Sequence, residues 1–404
     1  MRITKRGIVA IVIVGIIFIS AAVYLPLTLL APFKSATATP GVIATPTAAP
    51  AALTWPGYGG GAITAVGYPT SMTTGGSTAP ISIASISKII TSLVVLDKKP
   101  LTGDDAGPTI TFDASDVALT GKYIKMNGET KPMVIGQKIS ERDLMSVALI
   151  ASANNYADAL AVWAYGSDAA FVTATTTWLA AHNLAGTTLV EPTGLNPANK
   201  STASDLVAIG QLALANPVIA SIVSTPSFTL APIGTITNSN KLLGRLGVDG
   251  IKTGTLDNVG SDLLFSADYT ISGTKITVVG AILGAPDHPT LDASVRLLLK
   301  NVKAGFHNLK LVKAGEKFAS YRSEWSTTAN AVATKSASVL VWSNPTVTAT
   351  TKTKAVTFAP SGTRVGKVTF VVGSKVVIVP LALDRALVDP GGWWKILNPS
   401  VVLK

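Results

Sequence analysis

The chain has 404 residues, of which 48% are hydrophobic and 14% charged, with no cysteine and a formal net charge of +11. This length predicts two or three domains, and the absence of cysteine excludes disulfides and thiolate metal sites. Nucleic-acid binding is not indicated, because the Lys and Arg residues are scattered and no dense basic run has aromatic residues beside it. An exported protein that faces an anionic envelope is the favoured interpretation of the charge.

The N-terminus predicts a membrane anchor. Three basic residues within Met1 to Gly7 precede an almost uninterrupted apolar run from Ile8 to Ala31, and about 20 apolar residues span a bilayer. The basic flank predicts a cytoplasmic N-terminus. A cleaved signal peptide is the alternative, with cleavage at Ser35-Ala-Thr-Ala38, although the apolar region of such peptides is usually only about 7–15 residues long. We expect residues 1–33 to form a cytoplasmic tip and a single-pass anchor; cleavage would make the protein secreted.

Residues 34–56 are rich in Ala, Thr and Pro and lack periodicity, which predicts an extended linker. A folded domain is expected over 57–308. From residue 309 to 404, Val, Thr and Ser alternate between turn signals, so an all-β domain is predicted there, with a hairpin formed by Val368–Val372 and Lys375–Leu381.

Helix signals dominate the first part of the 57–308 domain, after short strands predicted at Gly61–Gly67 and Ile81–Ala84. Ser85 to Leu96 carries apolar residues at helical spacing on nearly every side, which predicts a buried helix. Capping patterns predict two further helices, one from Glu141 to about Ala151 and one that follows Thr202 and ends near Asn216. Another helix is expected from about Tyr156 to Tyr165.

The second part of this domain reads mainly as strands. Val248–Thr255, Asp262–Tyr269 and Lys275–Leu283 have strand patterns, and Ser272-Gly273 predicts a turn that makes the last two an antiparallel pair. An amphipathic helix is expected over Asp292–Ala304.

Ser85 and Lys88 form the first of three chemical motifs. Positions three apart on a helix lie on one face, so the two side chains are expected to be neighbours. Burial, together with nearby positive charge, would lower the pKa of Lys88 toward the working pH. Lys88 would then remove the proton from Ser85 during attack on a carbonyl, which is the activation that a serine nucleophile needs. Taken alone, the pair is as consistent with an ordinary helix start.

Ser152-Ala-Asn154 is the second motif and lies just beyond the predicted end of a helix. Ser152 is a candidate proton relay between Lys88 and the departing amine, and Asn154 a candidate for holding the substrate backbone. Ser and Asn also favour helix-terminal turns, so this motif carries little weight by itself.

Lys252-Thr253-Gly254 is the third motif and lies on a predicted strand. Gly254 would let a substrate approach the backbone closely. Lys252 adds positive charge, and the hydroxyls of Thr253 and Thr255 are candidates for binding a carboxylate. The backbone N–H groups of Ser85 and Thr255 would form an oxyanion hole. A strand that ends in a turn is the alternative for this tripeptide.

The three motifs in this order resemble those of the penicillin-recognising serine enzymes. Over about Ile81 to Gly305 the chain resembles the serine-type D-alanyl-D-alanine carboxypeptidases, the low-molecular-mass penicillin-binding proteins. Val248 to Gly254 with Asn258-Val-Gly260 is one such segment, and Thr193-Gly-Leu195 leading to Ser201 through Leu206 is another. The second motif reads Ser-Ala-Asn-Asn, where the family commonly has Ser-Gly-Asn-Asp. The segment before Ser85 is short and divergent. Both departures concern substrate detail rather than reaction class.

The resemblance implies an α+β fold: a β-lactamase/transpeptidase-like domain with an antiparallel five-stranded sheet flanked by helices, beside a helical lobe, and a C-terminal β domain. It also implies hydrolysis of the terminal D-alanine of peptidoglycan stem peptides through an acyl-enzyme on Ser85, without a cofactor. Stem peptides ending in D-Ala-D-Ala and β-lactam antibiotics would be the partners, at the extracytoplasmic side of a bacterial membrane.

Two rival functions remain open. Glu191-Pro-Thr-Gly-Leu-Asn196 is reminiscent of the loop that carries the deacylating Glu of class A β-lactamases, but its Leu-Asn lies one residue farther from the Glu. We expect Glu191 to be a loop residue. A catalytically silent envelope-binding protein is the other rival, and the intact motifs argue against it. His182, His288 and His307 lack metal-ligand spacing and are expected at the surface.

Overall fold

The computed structural model describes residues 4–257 and 259–404, so Asn258 of the Asn258-Val-Gly260 segment lies outside the described residues. The helices are α1 (Lys5–Leu30), α2 (Ser87–Lys98), α3 (Ala114–Lys125), α4 (Glu141–Ile150), α5 (Asn154–Tyr165), α6 (Asp168–Ala181), α7 (Ala203–Ala215), α8 (Pro217–Val223), α9 (His288–Ala304), α10 (Gly392–Leu397) and α11 (Pro399–Val402). The strands are β1 (Ala38–Pro40), β2 (Gly60–Ala65), β3 (Tyr68–Gly76), β4 (Ile81–Ser82), β5 (Thr109–Thr111), β6 (Lys138–Ser140), β7 (Lys200–Ser201), β8 (Ser227–Leu230), β9 (Gly234–Thr237), β10 (Val248–Leu256), β11 (Gly260–Ile271), β12 (Thr274–Ala285), β13 (Phe306–Val312), β14 (Lys317–Arg322), β15 (Thr328–Ala333), β16 (Ala337–Trp342), β17 (Val347–Thr353), β18 (Arg364–Val372) and β19 (Lys375–Leu383).

The described residues form two compact units. The first, Ala49–His307, contains the three motifs, and its central sheet has five antiparallel strands in the order β10-β11-β12-β2-β3. Long strands at β10 to β12 confirm the three strands predicted from sequence, and β10 lies at the edge of the sheet. The expected α+β architecture is therefore confirmed, with the Lys252-Thr-Gly motif on an edge strand.

Helix α2 is the buried helix that the periodicity predicts. Ile86, Ile89, Ile90 and Val94 are at most 1% exposed. The α-helix begins at Ser87 rather than Ser85, because a 3₁₀ turn over Ala84–Ile86 precedes it and Ala84 has a φ of 43°. Ser85 lies in this turn and is the one residue between Ser82 and Leu96 that is not buried. The 3₁₀ turn thus leaves the Ser85 hydroxyl partly exposed immediately before the buried helix α2.

Capping side chains set the starts of the other motif-bearing helices. Ser140 accepts a hydrogen bond from the backbone N–H of Asp143 at the start of α4, and Thr202 does the same for Asp205 at the start of α7, as predicted. Helix α9 begins at His288, one turn before the predicted residue, because Asp287 caps it and Pro289 occupies its first turn.

The second unit holds the remaining described residues. A six-stranded sheet in the order β1-β14-β15-β19-β18-β17 forms its core and includes the predicted hairpin, β18 with β19. Helix α1 has 26 residues and a mean hydropathy of 3.0 over its most apolar 18, none of them buried. By length and composition this helix is able to cross a membrane.

The segment predicted as a linker differs in part from that expectation. Ala38–Pro40 forms strand β1, which pairs with Ala319–Tyr321 of β14, and Ala36 exchanges two backbone hydrogen bonds with Val356. Residues 41–56 contain no helix or strand. The partners of Ala36 and β1 lie some 280 or more residues away in sequence, so local composition does not reveal the pairing.

Candidate active site

A cleft of about 680 Å³ in the first unit gathers residues from all three motifs. Ser85, Ser152, Asn154, Thr253 and Thr255 line it. Lys88 and Lys252 are 0% and 1% exposed, and their amino groups donate to the hydroxyls of Ser85 and Ser152 in the cleft lining. Of the eight residues predicted from sequence, five therefore line the cleft and two more contact its lining through their amino groups.

Lys88 lies in position to act on Ser85. Its Nζ is 2.8 Å from Ser85 Oγ and also donates to Asn154 Oδ1 and to the Thr193 carbonyl, at 2.5 and 2.7 Å. Burial holds the pKa of Lys88 well below its ordinary value, the charge of Lys252 lowers it further, and the two nearby carboxylates, Glu191 and Glu129, oppose both effects. A buried lysine with a lowered pKa is a competent general base at neutral pH.

Ser152 is held by the other buried lysine. Lys252 Nζ donates to Ser152 Oγ at 3.0 Å and to the Thr253 carbonyl at 3.2 Å. Ser152 follows α4 with a φ of 59°, a left-handed conformation that non-glycine residues seldom adopt and that is common at functional sites. Ser152 was predicted to relay a proton between Lys88 and the departing amine; in the structure its hydroxyl accepts a hydrogen bond from Lys252.

Asn154 links the first two motifs. Its side-chain oxygen accepts from Lys88 Nζ, and its backbone N–H donates to the Glu129 carbonyl at 2.7 Å. A Cβ added to Gly128 would lie 2.3 Å from Asn154 Nδ2, so the glycine lets the 127–129 segment pack against this amide. The oxygen of Asn154 is thus engaged inside the site, and its Nδ2 remains as a donor group at the cleft.

Strand β10 meets the Ser85 turn at Gly254. A Cβ on Gly254 would lie 2.6 Å from the Ile83 carbonyl oxygen, so only glycine fits where the strand passes this turn. This close approach places the third motif beside the first. Burial lowers the pKa of Lys252 to about 7, partly opposed by the charge of Glu129.

Two contacts on β10 were not expected from sequence. Thr253 Oγ1 lies 2.6 Å from Ser239 Oγ, and Thr255 Oγ1 lies 2.8 Å from His288 Nε2. Ser239 and His288 also line the cleft. The surface assignment of His288 was therefore incomplete, because the first residue of α9 reaches β10 only through the fold; His182 and His307 do not line the cleft.

Glu191 organises its own loop. One carboxylate oxygen accepts from the N–H and hydroxyl of Thr193, and the other from the Gly194 N–H, at 2.6 to 2.7 Å. Asn199 Nδ2 donates to the second oxygen at 3.0 Å. Gly194 packs so tightly against Ala84 that a Cβ there would lie 1.8 Å from the Ala84 carbonyl oxygen. Both oxygens of Glu191 thus hold the loop that supports the Ser85 turn.

A family model described as D-alanyl-D-alanine carboxypeptidase matches residues 71–286, just over half of the chain. Among curated relatives, a D-alanyl-D-alanine endopeptidase of Pseudomonas aeruginosa is 32% identical over 209 residues, which are 50% of this chain and 64% of that protein. The D-alanyl-D-alanine carboxypeptidase DacA of Escherichia coli is 28% identical over 241 residues, 59% of this chain and 58% of the relative. The chain thus spans less than two thirds of these relatives.

Solved structures share the fold. A DD-transpeptidase from Streptomyces superposes with a TM-score of 0.53 at 25% identity, over 66% of this chain and 99% of that one. Penicillin binding protein 5 from Haemophilus influenzae superposes with a TM-score of 0.56 at 22% identity, over 86% of this chain and 98% of that one. The second likeness supports the fold alone.

Proposed function

The chain belongs to the D-alanyl-D-alanine carboxypeptidase family, and on this premise we propose that it is a serine D,D-carboxypeptidase that removes the terminal D-alanine from peptidoglycan stem peptides. The observation that carries the proposal is the 2.8 Å contact between Ser85 Oγ and the fully buried Lys88 amine, at the edge of an open cleft. A hydroxyl beside a buried amine of lowered pKa is an activated nucleophile.

In the proposed acylation, Ser85 Oγ attacks the carbonyl carbon of the penultimate D-alanine while Lys88 Nζ takes the hydroxyl proton. The backbone N–H groups of Ser85 and Thr255 stabilise the oxyanion. The C–N bond then breaks, and the amine of the terminal D-alanine leaves after receiving a proton through Ser152. Lys88 supplies that proton, the one that it took from Ser85, and its amine is then neutral again; Lys252, which donates to Ser152 Oγ, holds the relaying hydroxyl in place.

Deacylation completes the cycle. Water attacks the ester on Ser85 while Lys88 takes one of its protons, the C–O bond breaks as Lys88 returns that proton to Ser85 Oγ, and the shortened peptide leaves with a new carboxylate. No cofactor enters either step. Asn154 and the strand β10 would hold the peptide backbone, while Lys252, Thr253 and Thr255 provide positive charge and hydroxyls for the substrate carboxylate.

Incubation of the full chain with a peptide ending in D-Ala-D-Ala tests the reaction. We expect free D-alanine and the peptide shortened by one residue in equal amounts. A chain that neither binds labelled penicillin covalently nor releases D-alanine would be a silent envelope-binding protein. Rapid turnover of penicillin would instead identify a β-lactamase.

The Glu191 loop favours the carboxypeptidase over the β-lactamase. We expect the penicilloyl ester on Ser85 to persist for minutes or longer, because both oxygens of Glu191 already accept hydrogen bonds from the protein. Loss of fluorescent penicillin label after a chase measures this in the wild type and in Glu191→Gln. Label lost within seconds from the wild type but retained by Glu191→Gln would make Glu191 a deacylating base and contradict the assignment.

His288 places an imidazole where the substrate carboxylate would bind. It lies beside Thr255 Oγ1 at the first residue of α9, where the helix N-terminus also favours an anion. We expect His288→Ala to raise KM for a D-Ala-D-Ala peptide by roughly five- to tenfold, the effect of losing one good hydrogen bond, with a smaller change in kcat. The same peptide with a C-terminal amide is the control. Equal effects on both peptides would show that His288 does not bind the carboxylate.

The location proposed is the extracytoplasmic side of a bacterial membrane, with α1 as an uncleaved anchor across Ile8 to Ala31. The support comes from the residues that follow. Cleavage at Ser35-Ala-Thr-Ala38 would remove Ala36, which exchanges backbone hydrogen bonds with Val356, and would cut into strand β1. Retention of the anchor keeps this edge of the six-stranded sheet complete.

A further inference from the structure

The positive charge of the protein is concentrated in one unit. Residues 308–404 contain 13 Lys and Arg against four Asp and Glu, a net charge of +9. The unit with the cleft, residues 49–307, contains 16 Lys and Arg against 18 Asp and Glu, a net charge of −2. The net positive charge therefore lies in the unit that also contains α1, and not in the unit with the cleft.

Part of this charge lines a groove on the outer face of β17, β18 and β19. The groove has a volume of about 470 Å³ and contains four exposed cations, Lys352, Lys354, Arg364 and Lys367, with no acidic residue in its lining. Lys352 and Lys367 are direct cross-strand partners. Like charges in that position destabilise a sheet, and within the described residues no carboxylate forms an ion pair with any of the four.

The same face continues as an apolar surface. Val371, Val376 and Ile378 are 39%, 59% and 50% exposed. Val371 pairs with Val376, and Thr369 with Ile378, in the strand register that also pairs Lys352 with Lys367. Because alternate residues of a strand share a face, cations and exposed apolar side chains occupy one continuous surface.

The basic end of this surface is joined to the segment after α1 by a backbone pairing. Lys354 lies two residues before Val356, which hydrogen-bonds to Ala36, and Ala36 follows the last residue of α1, Leu30, by six residues. Six extended residues span at most about 20 Å. If α1 crosses a bilayer, the basic end of the groove at Lys354 lies within reach of its headgroups.

We propose that this face, the basic groove with its apolar extension, binds anionic phospholipid headgroups of the membrane that α1 crosses. Phosphate oxygens would supply the negative charge that the four cations lack, and basic clusters beside a membrane segment bind anionic lipid in this way. The exposed Val and Ile side chains favour a lipid surface over a soluble phosphate polymer. The proposal rests on the proposed anchor and is independent of the reaction in the cleft.

The test measures acetylation of lysines by a membrane-impermeant reagent on the full chain in lipid nanodiscs. The discs contain either phosphatidylcholine alone or equal parts of phosphatidylcholine and phosphatidylglycerol. Relative to Lys310, which lies outside the groove, we expect acetylation of Lys352, Lys354 and Lys367 to slow about fivefold or more in the anionic discs, and to recover in high salt. Equal relative rates in both discs would overturn the proposal.

A double charge reversal tests whether the groove itself binds the lipid, with acetylation of Lys354 as the measured quantity. In the Lys352→Glu, Lys367→Glu protein, anionic discs should no longer protect Lys354 from acetylation. The control Lys313→Glu with Lys317→Glu, an equal charge change at exposed positions outside the groove, should preserve the protection. Protection that survives the first pair would contradict the proposal. So would protection by soluble poly(glycerol phosphate) in neutral discs but not by anionic lipid, which would assign the groove to a wall polymer. Whether the chain inserts into phosphatidylcholine discs tests the anchor separately. If it does not insert, acetylation of the same lysines is measured with anionic vesicles instead.

Discussion

Ser85→Ala is expected to abolish both covalent labelling by penicillin and release of D-alanine, because no acyl-enzyme forms without the Ser85 oxygen. In a serine protease, loss of the nucleophile costs on the order of 10⁶-fold in kcat, so the residual activity should fall below detection. Labelled penicillin on a denaturing gel and an assay of free D-alanine measure the two losses.

Ser92→Ala is the matched control for this variant. Ser92 is a buried serine on α2, the helix that follows the Ser85 turn, and its hydroxyl donates to the Lys88 carbonyl oxygen at 2.8 Å without lining the cleft. The control should label as the wild type does. Persistent labelling of Ser85→Ala at another serine would sink the assignment of the nucleophile.

Lys88→Ala is expected to slow acylation by roughly 10²–10⁴-fold, the usual contribution of a general base. Within the described residues, the amine that contacts Ser85 Oγ is Lys88 Nζ, at 2.8 Å. The folded-state pKa of Lys88 is lowered by burial and by Lys252, so the neutral, active form gains population as pH rises through that lowered value. The wild-type acylation rate should therefore rise with pH at the acid end, and the variant should lose this rise.

Lys88→Met tests whether the loss comes from the amine or from an empty space. Methionine fills much of the lysine volume in this fully buried position, so both variants should be slowed alike. Stopped-flow acylation by a chromogenic penicillin provides the rates across pH. A Lys88→Met protein that acylates within a factor of two of the wild type, with its pH dependence intact, would mean that another group is the base.

Local patterns predicted those contacts that follow from spacing within one element. Ser85 and Lys88 are neighbours because they are three positions apart along a 3₁₀ turn and the helix that follows it. The side chains of Ser140 and Thr202 cap helices by accepting hydrogen bonds from backbone N–H groups three residues later, so the sequence predicts both caps. The alternation of β10 to β12 likewise follows from the pleat of a strand.

Contacts between segments that are distant in the sequence could not be predicted from local patterns. Lys252 donates to Ser152 across 100 residues, and Thr255 contacts His288 across 33. These pairs depend on how β10, the end of α4 and the start of α9 converge. For the same reason the sequence indicated that Glu191 is a loop residue but did not reveal that its two oxygens hold the turn around Thr193 and Gly194.

The 34–56 segment illustrates a different limit. Its Ala-, Thr- and Pro-rich composition indicates a chain without a core of its own, and residues 41–56 have no regular structure. Ala38–Pro40 nevertheless becomes a strand, because β14 offers an unpaired edge. Composition indicates how a segment behaves in isolation. It does not show whether the segment will pair with the edge strand of a sheet that lies next to it in the fold.

The most direct test of the proposed function is to trap the acyl-enzyme during turnover. The full chain is mixed with a peptide ending in D-Ala-D-Ala and quenched in acid, and mass spectrometry locates the adduct while released D-alanine is counted. We expect the mass of the peptide minus one D-alanine on the tryptic fragment that contains Ser85, with at least one D-alanine released for each adduct. Release of D-alanine without any adduct, or an adduct on a residue other than Ser85, would contradict the proposed mechanism.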